Sequence, residues 1–247
     1  MSVVKYTKSK SKAYTLYNKV TQGLMSYDCN VWAVLLEYKK DIAIAGGSIR
    51  AILSKTFIQD MDIYVSDMDI VSLLIKKFVI LKYTVVASTD NAVTLKNTET
   101  NKIIQIIKKV LLDVSNPADL LEEFDFTITQ AVFYNDTLYL GETFLEDLAS
   151  RSLIITNKHL KYPIASLVRV LKYQRYGFIA SPLLLVNIAL QTHALEINTY
   201  AQLKEQLQGI DTQIFDSMLS HIDERLTFSL PDVLTHISEN YFNYLEN

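Results

Sequence analysis

The spacing of apolar residues predicts an α+β (mixed) protein, with a head of strands and helices up to about Thr156 and a remainder built from helices alone. Three observations carry this reading. Apolar residues recur at helical spacing before Tyr38, short β-rich runs bounded by turn residues follow between Asp41 and Leu140, and beyond Pro163 the strand signals stop.

The elements follow in order. Tyr14, Leu16, Val20 and Leu24, then Val31, Val34, Leu35 and Tyr38, predict two helices between about Ser11 and Tyr38. Asp41 to Ala45 is a short apolar run ending in two glycines, the mark of a buried strand feeding a tight turn. Ser48 to Ser54 reads as a brief helix and Met61 to Val65 as a second strand. Ser66 or Asp67 can cap a helix from about Met68 to Leu81, whose apolar residues recur at Val71, Leu74, Ile75 and Phe78. Strands are expected over Tyr83 to Ala87, Ala92 to Lys96 and Lys102 to Lys108. Asn116-Pro117 opens a short helix to Glu123. Phe124 to Phe133 alternates as a strand and pairs with Thr137 to Leu140 across an Asn135-Asp136 turn. Helical patterns then cover Ile164 to Tyr176, Pro182 to Leu195, Thr199 to Leu207, Thr212 to Arg225 and Pro231 onward, so the expected domains are 1–156 and 157–247.

Bulk properties narrow the function classes. With 247 residues and 49% hydrophobic content, the chain can bury a sizeable core. The single Cys29 forms no internal disulfide, and His159, His193, His221 and His236 are too scattered for a zinc cage. The basic start MSVVKYTKSKSK leads into no apolar core and no run is long enough to span a bilayer, so a cytoplasmic protein without a membrane partner is expected. The net charge of −3 is uneven: from Leu195 onward nine acids face only Lys204 and Arg225, a balance of −7 that leaves +4 for the rest. A polyanion is drawn to the first three-quarters, whereas the acidic helices offer a face to a protein partner or to solvent.

The chemistry concentrates between Gly46 and Asp62. Asp60 and Asp62 stand at i and i+2 on a strand, so both carboxylates leave one face while Met61 and Ile63 enter the core. Two hard cations need such clustered oxygens to grip a triphosphate and activate a hydroxyl. Upstream, Gly46 and Gly47 let backbone N–H groups approach phosphate, Ser48 adds a hydroxyl, and Arg50 adds a guanidinium fork. The tetrapeptide DMDI occurs twice, but the copy at Asp67 has no preceding strand and glycine loop; Asp67 and Asp69 read as acids of a helix start. Asp125 is a third carboxylate, expected to share a strand face with Thr127 and Thr129 while Phe124, Phe126 and Ile128 turn inward.

Taken in order, these segments resemble the polymerase-beta-like nucleotidyltransferases, specifically the head and neck of bacterial poly(A) polymerases and class II CCA-adding enzymes. The matching residues are Gly46-Gly47-Ser48-Ile49-Arg50, Asp60-Met61-Asp62, Asp125 through Ala131, and Pro163 with Arg175-Tyr176-Gly177-Phe178. The resemblance implies a nucleotidyltransferase head with a small mixed β-sheet flanked by helices, then a helical neck and C-terminal region. It implies two Mg²⁺ or Mn²⁺ ions on Asp60, Asp62 and Asp125, and a nucleoside triphosphate, ATP or CTP, on Gly46, Gly47, Ser48 and Arg50. Departures are equally plain: Ala51 replaces an acid, Glu122-Glu123-Phe124 stands where paired arginines precede the family's aspartate, and Tyr162 replaces the neck aspartate. Arg169, Lys172 and Arg175, three apart along the neck helix, are the residues available to replace the lost cations at the triphosphate.

Three activities remain open. The first is nucleotidyl transfer to an RNA 3′ end held by head and neck, with Lys5, Lys8, Lys10 and Lys12 as added cations. The second is the same transfer to a protein or small-molecule hydroxyl. The third is a retired active site serving as a binding or regulatory protein.

Overall fold

The computed structural model describes residues 2–7, 11–156, 159–207, 229–233 and 235, with the side chains of 11–14 left aside. The helix expected over Thr212 to Arg225, most of the one expected from Pro231 onward, the bulk of the acidic face, and Lys8 and Lys10 lie outside the described residues, while Pro231, Asp232, Val233 and Thr235 are helical as expected. The chain divides into two compact units, Met1–Thr156 and Asn157–Asn247.

The first unit is built on an eight-stranded mixed sheet of order β1-β8-β7-β2-β3-β6-β5-β4. Its strands are β1 (Val3–Thr7), β2 (Ile42–Ala45), β3 (Asp60–Val65), β4 (Tyr83–Ser88), β5 (Ala92–Asn97), β6 (Ile103–Ile107), β7 (Ala131–Tyr134) and β8 (Thr137–Gly141). Only β3 and β6 are parallel. The sheet is larger than the small one expected, partly because β1 was not foreseen. Its alternation is confined to one exposed edge strand, paired with β8, and is too weak to detect locally.

Five helices accompany the sheet: α1 (Ser11–Tyr27), α2 (Cys29–Glu37), α3 (Gly47–Ser54), α4 (Met68–Ile80) and α5 (Phe144–Ser150). The predicted pair α1 and α2 is separated by Asp28, whose carboxylate accepts the backbone N–H groups of Asn30 and Val31 and restarts the chain as a new helix. Val20, Leu24, Ile49, Leu74 and Phe78 of α1, α3 and α4 are buried, as are Met61, Ile63, Leu95, Ile104 and Ile106 of the sheet, with α3 and α4 packed on β3 and α1 on α3. On the opposite face Leu112, Leu120 and Leu121 pack over Ala43, Ala45, Tyr64, Val132 and Tyr134. That cover reaches only part of the sheet.

One expected strand is corrected. Of Phe124 to Phe133, only Ala131–Tyr134 joins the sheet; Thr127–Thr129 is a 3-10 turn, and Pro117–Glu123 before it is also 3-10. Asp125 therefore does not share a strand face with Thr127 and Thr129, both of which are buried. The alternating pattern is satisfied by burial of Phe126 and Ile128 within a turn, an outcome that period alone does not distinguish from a strand. The hairpin beyond it is as expected: Asn135 and Asp136 take φ of 41° and 62°, the left-handed pair of a type I′ turn.

The second unit contains α6 (Pro163–Arg175), α7 (Pro182–His193) and α8 (Tyr200–Gln206). Helix α6 ends in a Schellman motif: Gly177, at φ 80°, donates to the Gln174 carbonyl and Phe178 to that of Tyr173, while the rings of these last two meet edge-on. The Arg-Tyr-Gly-Phe sequence is thus a helix stop.

Candidate active site

The site is organised by the register of β2 on β3. Ala45 lies opposite Asp62, so the chain leaves β2 into Gly46-Gly47 beside the two carboxylates. Asp60 and Asp62 are both half-buried, and the intervening Met61 is fully buried, so both acids emerge from one face. The Gly46 N–H is tied to the Ala131 carbonyl at 2.9 Å, which fixes the loop between the ends of β7 and β3.

Gly46 is required twice. Its φ of 76° and ψ of −131° are open essentially to glycine, and a Cβ there would lie 2.8 Å from Phe124 Cε1. Phe124 also meets Tyr64 edge-on at 6.4 Å. An apolar ring therefore closes on the loop at one of the two positions where the resemblance implies arginine. By contrast, nothing lies within 4 Å of a Cβ built on Gly47, so space is open above the start of α3.

Ser48 and Arg50 are at odds with solvent-facing phosphate donors. They are 1% and 4% exposed, and Ser48 Oγ is buried without a hydrogen-bond partner among the described residues. Thr127 Oγ1, on the turn that packs against α3, is in the same condition. Both hydroxyls are thus buried, one on α3 and one on the turn packed against it.

Asp125 is half-buried and pinned through its backbone. Its carbonyl accepts Thr156 N–H at 2.9 Å, Thr127 donates to the Ile154 carbonyl, Phe126 bridges Ile155, and the Thr156 hydroxyl donates to the Phe124 carbonyl. Asp60, Asp62 and Asp125 offer only carboxylate oxygens, a donor set suited to hard divalent cations. The Asp60–Asp62 pair fits Mg²⁺, which is commonly held by one or two carboxylates together with substrate phosphates. Among the described residues no group of three or more His, Cys, Asp or Glu side chains is assembled as a metal cage, so the expected three-carboxylate cluster is not gathered in this conformation.

Tyr27 was not foreseen. Its hydroxyl donates to the Ile103 carbonyl at 2.8 Å and accepts the Ile103 N–H at 2.9 Å, and Ile103 is the β6 partner of Asp60. Burial pushes this phenol up to about 12; the Ile103 bond opposes the rise, and the Asp60 and Asp28 carboxylates add to it. No local signal marks the role, because the two segments are 76 residues apart.

In the second unit, Arg169 and Lys172 are half-buried on α6 and Arg175 is exposed. All three lie on one helix at spacings of three. Among the described residues no helix is long and apolar enough to cross a membrane.

Residues 9–151, more than half of the chain, match the family described as Gabija anti-defense 2 family protein. The chain belongs to the Gabija anti-defense 2 family. A curated relative, "Gabija anti-defense 2" from Bacillus phage SPbetaL7, is 29% identical over 212 residues, covering 83% of this chain and 51% of its own length. The chain thus spans about half the length of that relative. This family member also shares its fold with CCA-adding enzymes. The complex with CTP gives a TM-score of 0.57 at 16% identity, covering 89% of this chain and 54% of the enzyme. The complex with ATP gives 0.54 at 17% identity, covering 100% of this chain and 63% of the enzyme. The Thermotoga maritima enzyme complexed with tRNA gives 0.54 at 14% identity, covering 89% of this chain and 53% of the enzyme. At these identities the likeness is one of fold, and it agrees with the α+β head expected from the sequence.

Proposed function

We propose that this member of the Gabija anti-defense 2 family counters Gabija defence by metal-dependent nucleotidyl transfer, moving a nucleoside monophosphate from a triphosphate, ATP or CTP, to an RNA 3′ hydroxyl. The observation that carries the reading is the placement of Asp60 and Asp62 on one face of β3, directly beside the open Gly46-Gly47 loop. Mg²⁺ or Mn²⁺ ions on Asp60 and Asp62, with Asp125 serving the second, would neutralise phosphate charge and acidify the attacking hydroxyl. The loop residues receive the triphosphate, Gly47 by close backbone approach and the α3 N-terminus by its dipole. Ser48 and Arg50 act from behind the loop as its support. Arg169, Lys172 and Arg175 are the cations the sequence offers in place of the missing arginines. The acceptor oxygen bonds to the α-phosphorus, the bond to the bridging oxygen breaks, pyrophosphate leaves, and the hydroxyl proton passes to solvent.

A second reading has its own support. The curated relative is named for countering a defence system, which suits transfer to a hydroxyl of a defence protein. Incubating the chain with each labelled ribonucleoside triphosphate, Mg²⁺ or Mn²⁺, total RNA and Gabija proteins separates the readings. Label in RNA, absent from Asp60→Ala/Asp62→Ala, supports the first. Label in protein transfers the chemistry to the second. No label from any triphosphate, with defence still countered by the double variant, leaves a binding protein on a retired site.

A further inference from the structure

The cluster under Leu112, Leu120 and Leu121 reaches β6 only at Ile107 and includes no residue of β5 or β4, so the Asp60–Asp62 face beyond Ile107 is left open. Cross-strand register defines what stands there. One row runs Asp62, Gln105, Thr94, Ala87; the next runs Asp60, Ile103, Lys96, Thr84. Burial alternates accordingly: Ile103, Gln105, Ile107, Ala92 and Thr94 are half-exposed and Lys96 and Thr84 exposed, while Ile104, Ile106, Val93 and Leu95 face the core. Beyond β3 this open face carries an ammonium, an amide and hydroxyls, and no carboxylate. Gln105, Thr94 and Lys96 make no side-chain hydrogen bond or ion pair with the described residues. Strands are about 4.8 Å apart, so Lys96 stands ~10 Å from Asp60, and its side chain can extend back toward the carboxylates.

We infer that the open face of β6, β5 and β4 is the seat of a single-stranded polyanionic acceptor, with Lys96 contacting a phosphodiester just behind the reacting 3′ end and Gln105 and Thr94 bonding its backbone or sugars. This rests on the nucleotidyl-transfer reading for what happens at the 3′ end, although the binding does not require the chemistry. Charge decides the occupant: two acids at the β3 border suit cations and triphosphate, and beside them the Lys96 ammonium, with the Gln105 amide N–H and the Thr94 hydroxyl as further donors, suits phosphate oxygens. Half-exposed Ile103, in the row between Asp60 and Lys96, adds apolar surface on which a base can lie.

The test is fluorescence anisotropy of a 5′-labelled single-stranded oligoribonucleotide with the full chain, without triphosphate, at several salt concentrations. Lys96→Glu is expected to weaken binding by about tenfold and to lower the salt slope by ~0.7, one phosphate contact. Thr94→Lys, which adds a cation to the same face, is expected to tighten it. Unchanged affinity in both variants, each with wild-type thermal unfolding, overturns the inference, as does a wild-type chain that labels protein and binds no oligonucleotide. The same measurement on Asp60→Asn/Asp62→Asn separates the two claims. Binding that persists through Lys96 while no variant or wild type transfers nucleotide sinks the enzymatic reading alone; transfer to RNA indifferent to Lys96→Glu sinks only this one.

Discussion

Adjacent glycines at 46 and 47 have different physical duties. Gly46 holds a backbone conformation that side chains avoid, with Phe124 against it; Gly47 has ordinary backbone and open space around it. Gly46→Ala is expected to destabilise the chain by about 2–4 kcal/mol, combining backbone strain and overpacking, in urea denaturation. Gly47→Ala should change stability by less than about 1 kcal/mol yet weaken triphosphate binding, because its methyl group occupies the approach to the loop. Equal effects on both properties in the two variants would contradict this division. Tyr27 gives a pH dependence of definite sign. Its phenol ionises near 10.0 when unfolded and at about 12 in the folded chain, so folding favours the protonated form. Its contribution is complete below pH 10 and is lost as pH rises toward 12. The urea midpoint of the wild type should therefore fall more steeply over that interval than the midpoint of Tyr27→Phe, which has no phenol to ionise.

At the scale of elements, the duplicated DMDI shows how context assigns chemistry. The first copy forms β3 with its acids on an open face; the second starts α4, where Asp67 accepts the Asp69 and Ile70 N–H groups at 2.9 and 3.1 Å. Asp67→Ala is expected to cost about 1 kcal/mol of stability and leave nucleotidyl transfer intact. Asp62→Ala should abolish transfer at temperatures where the chain remains folded. A loss of transfer in Asp67→Ala at temperatures where the chain remains folded would show that the second copy also reaches the chemistry. The neck helix obeys the same logic, since the glycine and phenylalanine of its family-like ending are fully occupied in closing the helix. Resemblance in that segment reports on architecture more directly than on nucleotide binding.

For the whole molecule, binding to the folded state is expected to appear as stability. Mg²⁺ with a non-hydrolysable triphosphate at about 100 times its dissociation constant adds roughly 2.7 kcal/mol, a rise of several degrees in the melting temperature. The rise should vanish in Asp60→Asn/Asp62→Asn. A wild-type chain indifferent to both ligands would favour a retired site. The family match over 9–151 falls within the unit Met1–Thr156, which contains the loop, the three carboxylates and the open sheet face. The shared architecture and the candidate chemistry therefore reside in the same part of the chain.

By itself the sequence determined the α+β class, six of the strand positions, most of the described helices and the pairing of a glycine loop with two carboxylates. Each depends on short-range information: apolar period, a cap within three residues, or a turn requiring left-handed backbone. Only tertiary structure decided the rest. It placed Phe124 on Gly46, turned Ser48 and Arg50 inward, folded Thr127–Thr129 as a turn and brought Tyr27 to the strand beside Asp60. These outcomes join segments tens of residues apart, and burial by a distant partner carries no period that either segment displays alone.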